Sequence, residues 1–303
     1  MKSRSSYFKV WAAALALVIV VGSCKDDDDL PAIDGYNSSD EVASSNLVAH
    51  WSFDDNNNEV KSSTAPANTY GTVSSTDGKI GKALLVDGGA LVYPVISAIN
   101  TVDALNNFSV SMWINIRNNK TTTHKGFTPL FGIVPESSDF WGNIYALAET
   151  QEYLPTSDTL KLKNYLSTTL PSGDQSGQDN IAFFNGDLAG SNENAQTGKW
   201  FLGAKDWVHY VMTWDATTHK FEIYANAVAS GGYTNRGTTP VLKMQVPARA
   251  VFGTMAFTDV GFHGTRAADQ PMGHYTIDDV RVFNAPLSAA EITALFNLGT
   301  AGR

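Results

Sequence analysis

Alternation of apolar and polar residues over short segments is the feature that most limits how this chain of 303 residues can fold. In FSVSMWINI (108–116), Phe108 and Val110 share one face of an extended strand, and Ser109 and Ser111 share the other. A period of two predicts half-buried β-strands. Clusters of Gly, Asn, Asp and Ser recur about every ten residues, which is the spacing of an all-β sandwich. Three further segments alternate in the same way: WVHYVMTWD, KFEIYANAV and HYTIDDVRVF.

Two features near the C-terminal end depart from simple alternation. In HYTIDDVRVF the apolar face switches at Asp278 and Asp279, which predicts a local irregularity or a ligand at that point. Further on, Ser288 and Glu291 have the spacing of a helix capping box, and Gly299 is placed to end the helix. The sequence therefore predicts an all-β fold with one short C-terminal helix.

The first residues have the composition of a secretory signal. A basic start is followed by twelve apolar residues at 10–21 and by two small residues, Gly22 and Ser23. Twelve residues are too few for a membrane-spanning helix, which needs about 20. We therefore interpret residues 1–23 as a signal peptide.

The residues around the only cysteine resemble a lipobox, in which a cysteine is lipidated before cleavage of the leader: Val21-Gly22-Ser23-Cys24. The resemblance implies a lipoprotein whose mature chain starts at Cys24 and touches the membrane only through its lipid anchor; a chance cysteine in a processed leader is the alternative. The residues behind it, Lys25-Asp26-Asp27, look like the signal that carries lipoproteins of glycan-degrading gut anaerobes to the exterior of the outer membrane. The alternative for these charges is a solvated run.

Composition agrees with an exported protein that has no nucleic acid partner. Residues 24–45 are polar and lack apolar periodicity, so we expect a flexible tether with a reach of roughly 25 Å. Without the leader, 18 basic residues face 30 acidic ones, a net charge of −12. This charge argues against nucleic acid or an anionic membrane surface as a partner. Because Cys24 is the only cysteine, its lipidation leaves no thiol for a disulfide or a metal site.

Five segments follow one another in an order typical of a known family: NLVAHWSFDD (46–55), GKIGKALLVDGGALVYP (78–94), NFSVSMWINI (107–116), WVHYVMTWDATTHKFEIYANA (207–227) and GHYTIDDVRVFNAPLSAAEITALF (273–296). Together they resemble the LamG-like, concanavalin A-like jelly-roll family. The resemblance implies one domain at 46–303 with two stacked antiparallel sheets. The family's Tyr-x-Asp-Gly turn reads Tyr224-Ala225-Asn226-Ala227 here, so the role of its Asp is lost.

The stretch 117–206 is the part least like the family, and we interpret it as a long insertion. It contains strand-like pieces and loops rich in Ser, Gly, Asn and Asp. Loops carry function because a rigid scaffold holds them while their sequence varies. We therefore expect the specific function in this stretch and in two later loops, GGYTNRGTT and GFHGTRAADQP.

Catalysis finds little support in the sequence. Related glucanases carry a Glu-x-Asp-x-x-Glu strand, and this chain has no such run. Sugar binding needs less than catalysis. We therefore expect a non-catalytic protein that binds polysaccharide or oligosaccharide through aromatic rings among turn formers: Trp141, Trp200 and Tyr233. Partners would include an outer-membrane glycan-uptake complex. A protein-interaction or adhesion module remains one alternative, and a glycan-active hydrolase or lyase remains another.

The family resemblance also implies a structural calcium. Its ligands would be an acid after the first strand and an acid of the closing pair, here Asp54 and Asp278, with Glu59 and Asp279 nearby. Ca²⁺ takes six to eight oxygens, so carboxylates and backbone carbonyls from the two chain ends would suit it. The alternative is that these acids cap turns, because the family's usual segment after the first strand is replaced by EVKSSTAPAN.

Overall fold

A computed structural model describes residues 30–116, 127–136, 142–149, 158, 161–169, 172, 175–183, 206–238, 241–268 and 270–303. This part of the chain forms strands and one C-terminal helix: β1 (Leu47–Trp51), β2 (Asn68–Asp77), β3 (Lys82–Val92), β4 (Phe108–Asn115), β5 (Phe127–Val134), β6 (Ile144–Glu149), β7 (Lys161–Thr169), β8 (Gln175–Phe183), β9 (Val208–Asp215), β10 (Lys220–Ala225), β11 (Val228–Tyr233), β12 (Val241–Leu242), β13 (Arg249–Phe252), β14 (Gly273–Phe283) and α1 (Ala289–Thr300). Among these described residues, no helix has the length and apolar character needed to span a membrane.

The strands form one antiparallel sheet that curls back on itself. The hydrogen-bonded order is β11-β10-β9-β4-β14-β3-β13-β5-β6-β7-β12, with β1 beside β14, β2 beside β3 and β8 beside β7. Across the interior, the Tyr210 hydroxyl on β9 donates to Asn164 Oδ1 on β7 over 2.8 Å, so the two ends of the path face each other. The predicted all-β jelly-roll architecture is confirmed, with its two walls joined through β13.

Aromatic residues fill the space between the two walls. The Trp51 ring on β1 meets the rings of Tyr93, Phe131 and Phe252 edge-on, with centroids 5.4 to 5.6 Å apart. Edge-to-face contacts of this kind are worth about 0.5–1.5 kcal/mol each beyond the area they bury. The first strand of the domain is therefore fixed to both walls at once.

The central strand β4 is buried on both faces, although its alternation predicted burial on one. Helix α1 covers the second face, where Phe296 stacks on Trp113 with centroids 5.8 Å apart. Gly299 permits this approach, because a Cβ there would lie 2.5 Å from Trp113 Nε1. The polar residue Ser109 on this face is satisfied by donating to the Ala285 carbonyl over 2.9 Å. The second face of β4 is buried because helix α1 packs on it, and the alternation within the strand cannot predict that contact.

The predicted helix cap and the predicted strand irregularity are both confirmed. Ser288 caps α1 by accepting from the Glu291 N–H, and the Glu291 side chain accepts from the Ser288 N–H in return. The pairing of β14 with β4 shifts register between Asp278 and Arg281, where Asp279 has a φ of 46°. The two neighbouring aspartates therefore point in different directions.

The expectation of a flexible tether over residues 24–45 is wrong for residues 30–45. This segment, which we call the arm, packs on the domain. Val42 is buried, and Asp40 forms an ion pair with Arg281 at 2.8 Å. Ser39 donates to the carbonyl of the last residue, Arg303, over 2.5 Å. Polar composition suggested a tether because these partners lie more than 200 residues away in the sequence.

The interpretation of residues 117–206 as an insertion is also wrong for the part of this stretch that the structure describes. The described part of this stretch contains β5, β6, β7 and β8, which pair side by side. Strand β5 also pairs with β13, with Gly132 opposite Val251. These strands are therefore one wall of the sandwich and not an addition to it.

The β10–β11 hairpin turn offers a test of backbone strain. Asn226 and Ala227 have φ values of 50° and 61°, the left-handed values that a tight two-residue hairpin turn requires. A Cβ is unfavourable there, so we expect Ala227→Gly to raise the free energy of unfolding by about 1 kcal/mol. Urea denaturation measures the change. As a control, Ala229→Gly in β11 should lower the same quantity by about 0.5–1 kcal/mol; equal effects of the two changes would contradict the strain argument.

Buried His209 on β9 predicts a loss of stability in acid. Its Nε2 lies 2.8 Å from Ser111 Oγ, and its Nδ1 has no hydrogen-bond partner among the described residues. Burial lowers the pKa of His209 to about 3, against the opposing charge of Asp279. The native ring stays neutral while the unfolded chain takes up a proton below about pH 6.5. Stability is therefore lost as the pH falls from about 6.5 towards 3, by up to about 1.4 kcal/mol per pH unit.

We expect His209→Gln to remove most of this pH dependence. Urea denaturation at pH 7.5 and pH 5 should show wild type losing about 2 kcal/mol more than the variant between these pH values. His263→Gln, on an exposed loop, is the control and should behave like wild type. An identical loss in wild type and His209→Gln would show that other groups cause it.

Candidate functional site

The predicted metal ligands Asp54 and Asp278 bind the same turn, residues 78–82. Asp278 Oδ2 accepts the backbone N–H groups of Lys79 and Ile80 over 2.7 and 2.8 Å. Asp54 Oδ1 accepts the N–H of Lys82 over 2.8 Å. The acid after the first strand and the acid of the closing strand therefore hold one turn between them, as turn caps do.

The adjacent aspartates of β14 have opposite electrostatics. Burial raises the pKa of Asp278 to about 8, and the charge of Asp279 acts in the same direction. The pKa of Asp279 lies well below its usual range: burial opposes this, but the Arg281 guanidinium and the His50 ring favour the ionised carboxylate. Asp279 Oδ1 lies 2.8 Å from both Arg281 Nη2 and His50 Nε2. Asp279 is thus fully paired, whereas Asp278 is not.

The fit of these residues to a cation is partial. Asp278 Oδ1 is buried and has no hydrogen-bond partner among the described residues, so one oxygen is open to a ligand. Glu59, the third predicted neighbour, instead accepts backbone N–H groups from His50, Lys61 and Ser62. The described part of the chain contains no group of three or more His, Cys, Asp or Glu side chains placed to hold a metal. Backbone carbonyls would have to supply most of the six to eight oxygens of a calcium ion.

A shallow groove of about 220 Å³ lies where β3, β14 and β4 run side by side, and we call it the sheet groove. Its lining residues are Leu85, Val86, Asp87, Asn115, Ile116, His274, Tyr275 and Thr276.

A β-bulge shapes the sheet groove. Gly273 pairs with Gly89 and His274 pairs with Asp87, so Gly88 is an extra residue on β3. Gly88 has a φ of 66°, and a Cβ on it would lie 3.2 Å from the His274 ring. Bulges of this kind redirect a side chain and are common next to binding sites. Here the bulge brings Asp87 Oδ1 to 2.8 Å from His274 Nδ1.

The groove combines polar groups with an apolar surface. The Asp87 side chain is 66% exposed, so its second carboxylate oxygen is accessible while the first contacts His274. Thr276 adds a hydroxyl, Asn115 an amide, and Leu85 a half-exposed aliphatic surface. Ligand sites that fix orientation through a few polar groups over an apolar surface have this composition. The arrangement can accept and donate hydrogen bonds to a neutral polyol.

The prediction that Tyr233 offers its ring to a sugar is wrong. Tyr233 is 1% exposed and belongs to the main core, where it lies opposite Phe221 in the β10–β11 hairpin. Burial and the charge of Asp179 raise the pKa of its hydroxyl. Asp179 in turn forms a buried ion pair with Arg236 at 2.6 Å. Glycines and polar residues around Tyr233 suggested a loop, but the strand places the ring inside the sandwich.

The other predicted site residues lie outside the described residues: Trp141, Trp200, Cys24, Lys25, Asp26 and Asp27. The sequence analysis did not predict the sheet groove. Its signal was present, because Asp87 belongs to the Val-Asp-Gly-Gly stretch and His274 to the closing motif, two segments that carried the family resemblance. The pairing of β3 with β14 brings Asp87 and His274 together.

A model of the family described as the concanavalin A-like lectin/glucanases superfamily matches residues 93–293. The chain belongs to this superfamily. The match covers the stretch from the end of β3 to helix α1 and includes the strands β5 to β8. A comparison with curated proteins gave no match.

Solved structures with the same fold include binding domains of toxins. The binding domain of botulinum neurotoxin DC in complex with SialylT has a TM-score of 0.53 and 15% identity, over 84% of this chain and 52% of that one. A structure of botulinum neurotoxin type C, whose cell entry depends on interaction with two ganglioside molecules, has the same score and identity, over 86% of this chain and 53% of that one. The chain thus spans about half of each toxin chain.

A third structure is domain 4 of AbnA, an extracellular arabinanase from Geobacillus stearothermophilus, in complex with arabinotriose. It has a TM-score of 0.47 and 20% identity, over 82% of this chain and 98% of that one. At 15% identity, the likeness to the two toxin structures shows the fold alone.

Proposed function

We propose that this protein is a non-catalytic, lipid-anchored carbohydrate-binding protein of the outer-membrane surface, which captures polysaccharide for an uptake complex. The sheet groove is the observation that carries the proposal. Asp87, held by His274, is a charged hydrogen-bond acceptor that remains accessible beside an amide, a hydroxyl and an aliphatic side chain. Hydrogen bonds to charged groups contribute about 1.5–3 kcal/mol each, enough to orient one sugar ring.

The superfamily and two toxin structures support a sugar ligand. The superfamily is described by its lectins and glucanases, one toxin domain is in complex with SialylT, and the other toxin interacts with ganglioside molecules. The location rests on the sequence alone, through the signal-like leader, Cys24 and the acidic residues behind it. Absence of catalysis is likewise a proposal. It is supported by the groove's lining residues, among which Asp87 is the one acid, whereas a glycosidase requires a pair.

Glycan binding is tested with the chain from Lys25 to Arg303, which keeps every described residue. A panel of arabinan, xylan, mannan, β-glucan and polygalacturonate is titrated while tryptophan fluorescence and heat are recorded. We expect one glycan class to bind saturably. Asp87→Ala and His274→Ala should each weaken that binding at least about tenfold, because a charged hydrogen-bond partner is lost or released from its position.

Glu136→Ala, at an exposed acid outside the groove, is the matched control and should bind like wild type. Trp141→Ala and Trp200→Ala test the two predicted stacking residues in the same titration. Binding that survives both groove variants would place the site elsewhere. A lack of response to every glycan would favour the protein-interaction alternative.

Calcium binding at Asp54 and Asp278 remains a separate proposal, supported by the unpaired Asp278 Oδ1. If the ion binds the native state only, Ca²⁺ at 100 times its Kd should raise the free energy of unfolding by about 2.7 kcal/mol. Thermal unfolding in Ca²⁺ and in EDTA measures this. Asp278→Asn should keep the turn contacts and abolish the difference, while Asp206→Asn, at an exposed acid, should retain it. A wild-type midpoint that is unchanged by Ca²⁺ would show that these acids serve as turn caps.

A further inference from the structure

A second polar pocket lies in the loop between β1 and β2, and it shares no lining residue with the sheet groove. It has a volume of about 220 Å³, and we call it the loop pocket. Its lining residues are Ser52, Asp55, Asn56, Asn58, Glu59, Val60 and Ser63.

Buried Glu59 fixes the shape of this loop. Its side chain is fully buried and accepts the N–H groups of His50, Lys61 and Ser62 over 2.8, 3.0 and 2.7 Å. The Tyr93 hydroxyl donates to the Asn57 carbonyl and fixes the other side of the loop to the core. A site held in this way loses little conformational freedom when a ligand binds, which favours affinity.

The loop begins at a strained residue. Phe53 has a φ of 60°, which is unusual for a bulky side chain. Its ring is buried against Phe252, with centroids 5.4 Å apart, and this packing holds the backbone in place. The turn sends the chain out of the core at Asp54, so the residues that follow are presented at the surface.

Polar side chains of the loop pocket divide into two groups. Ser52, Asn56 and Glu59 are used within the loop. Asn56 Oδ1 accepts the Asn58 N–H over 2.7 Å, and Ser52 Oγ accepts the Asp54 N–H over 3.5 Å. Asp55, Asn58 and Ser63 make no side-chain hydrogen bond to any residue in the described part of the chain. These three side chains line the pocket and offer a carboxylate, an amide and a hydroxyl.

The combination matches one sugar ring better than a metal ion. The carboxylate accepts hydrogen bonds, whereas the amide and the hydroxyl both donate and accept, as hydroxyl groups of a pyranose require. Val60 is 49% exposed at the pocket and supplies an apolar surface for the C–H face of a ring. The volume is below the roughly 300–1,000 Å³ of drug-sized sites, which suits a single ring. Asp55 is the one carboxylate at the pocket that is not used within the loop.

We propose that the loop pocket is a second carbohydrate subsite, which takes a single uncharged pyranose through Asp55, Asn58 and Ser63. This inference rests on the proposed function, since it assumes that the protein binds glycans. It goes beyond that function by placing a monosaccharide-sized site in a loop whose residues differ from those of the sheet groove. The lining residues of the pocket include no Lys or Arg that would pair with a uronate or a sulfate.

Ligand-observed saturation-transfer NMR tests the subsite with the chain from Lys25 to Arg303. The probes are D-glucose, D-galactose, D-mannose and N-acetyl-D-glucosamine, measured in EDTA so that calcium takes no part. At least one sugar should give a saturable signal with wild type and with the groove variant Asp87→Ala. Asp55→Ala and Asn58→Ala should weaken that sugar at least about tenfold.

Asn68→Ala, at an exposed asparagine outside the pocket, is the control and should bind like wild type. Unfolding midpoints of all variants must match wild type, because neither Asp55 nor Asn58 uses its side chain to hold the loop. Unchanged monosaccharide signals in Asp55→Ala and Asn58→Ala overturn the subsite. The subsite is also overturned if the wild-type protein binds polysaccharide through the sheet groove but binds no monosaccharide. The proposed function still stands in that case. Failure to bind either class of probe would instead remove the proposed function and the subsite with it.

Discussion

The buried ion pair between Asp279 and Arg281 connects three parts of the chain that are far apart in the sequence. Arg281 also pairs with Asp40 of the arm, and Asp279 contacts His50 of β1. Removing one partner of a buried pair costs about 3–5 kcal/mol, because the other charge is left without compensation. The same bulge that turns Asp279 inward turns Asp278 towards the 78–82 turn. One irregularity in β14 therefore positions the arm, the first strand and the 78–82 turn that connects β2 to β3.

Both candidate sugar sites arise where the backbone departs from regular β-structure. The extra residue Gly88 aims Asp87 at His274, and the left-handed Phe53 directs the following loop outwards. The side chains of a regular strand such as β4 are buried in packing contacts, because even the second face of β4 is covered. Departures from regular geometry are thus where polar side chains remain available. The two sites also share an arrangement. His274 positions Asp87 in the sheet groove, and Glu59 holds the loop that presents Asp55 in the loop pocket.

The sequence predicted the class of fold, the strand irregularity at Asp278 and the cap at Ser288, because each depends on neighbouring residues. It did not predict the docking of the arm, the role of β5 to β8 or the burial of Tyr233. The arm depends on Arg281 and the place of β5 in the sheet depends on β13, both more than 100 residues away. The burial of Tyr233 depends on which face of the β10–β11 hairpin is turned to the core. The metal prediction identified two acids that do meet at one turn, but the backbone N–H groups they accept cannot be read from composition. The sheet groove was missed for the same reason, since Asp87 and His274 are 187 residues apart.

The docked arm has a mechanical consequence. Arg303 donates to the Pro31 carbonyl over 2.9 Å, and Asn297 donates to Asp34, so the start of the arm is fixed to the end of the chain. With a lipid at Cys24, the five residues 25–29 would link it to Leu30, a span of about 20 Å when fully extended. A load on a captured polymer would then reach the anchor through the arm's ion pair and hydrogen bonds. The contacts of Pro31 and Asp34 with the C-terminal residues would carry that load first, because they lie nearest the anchor.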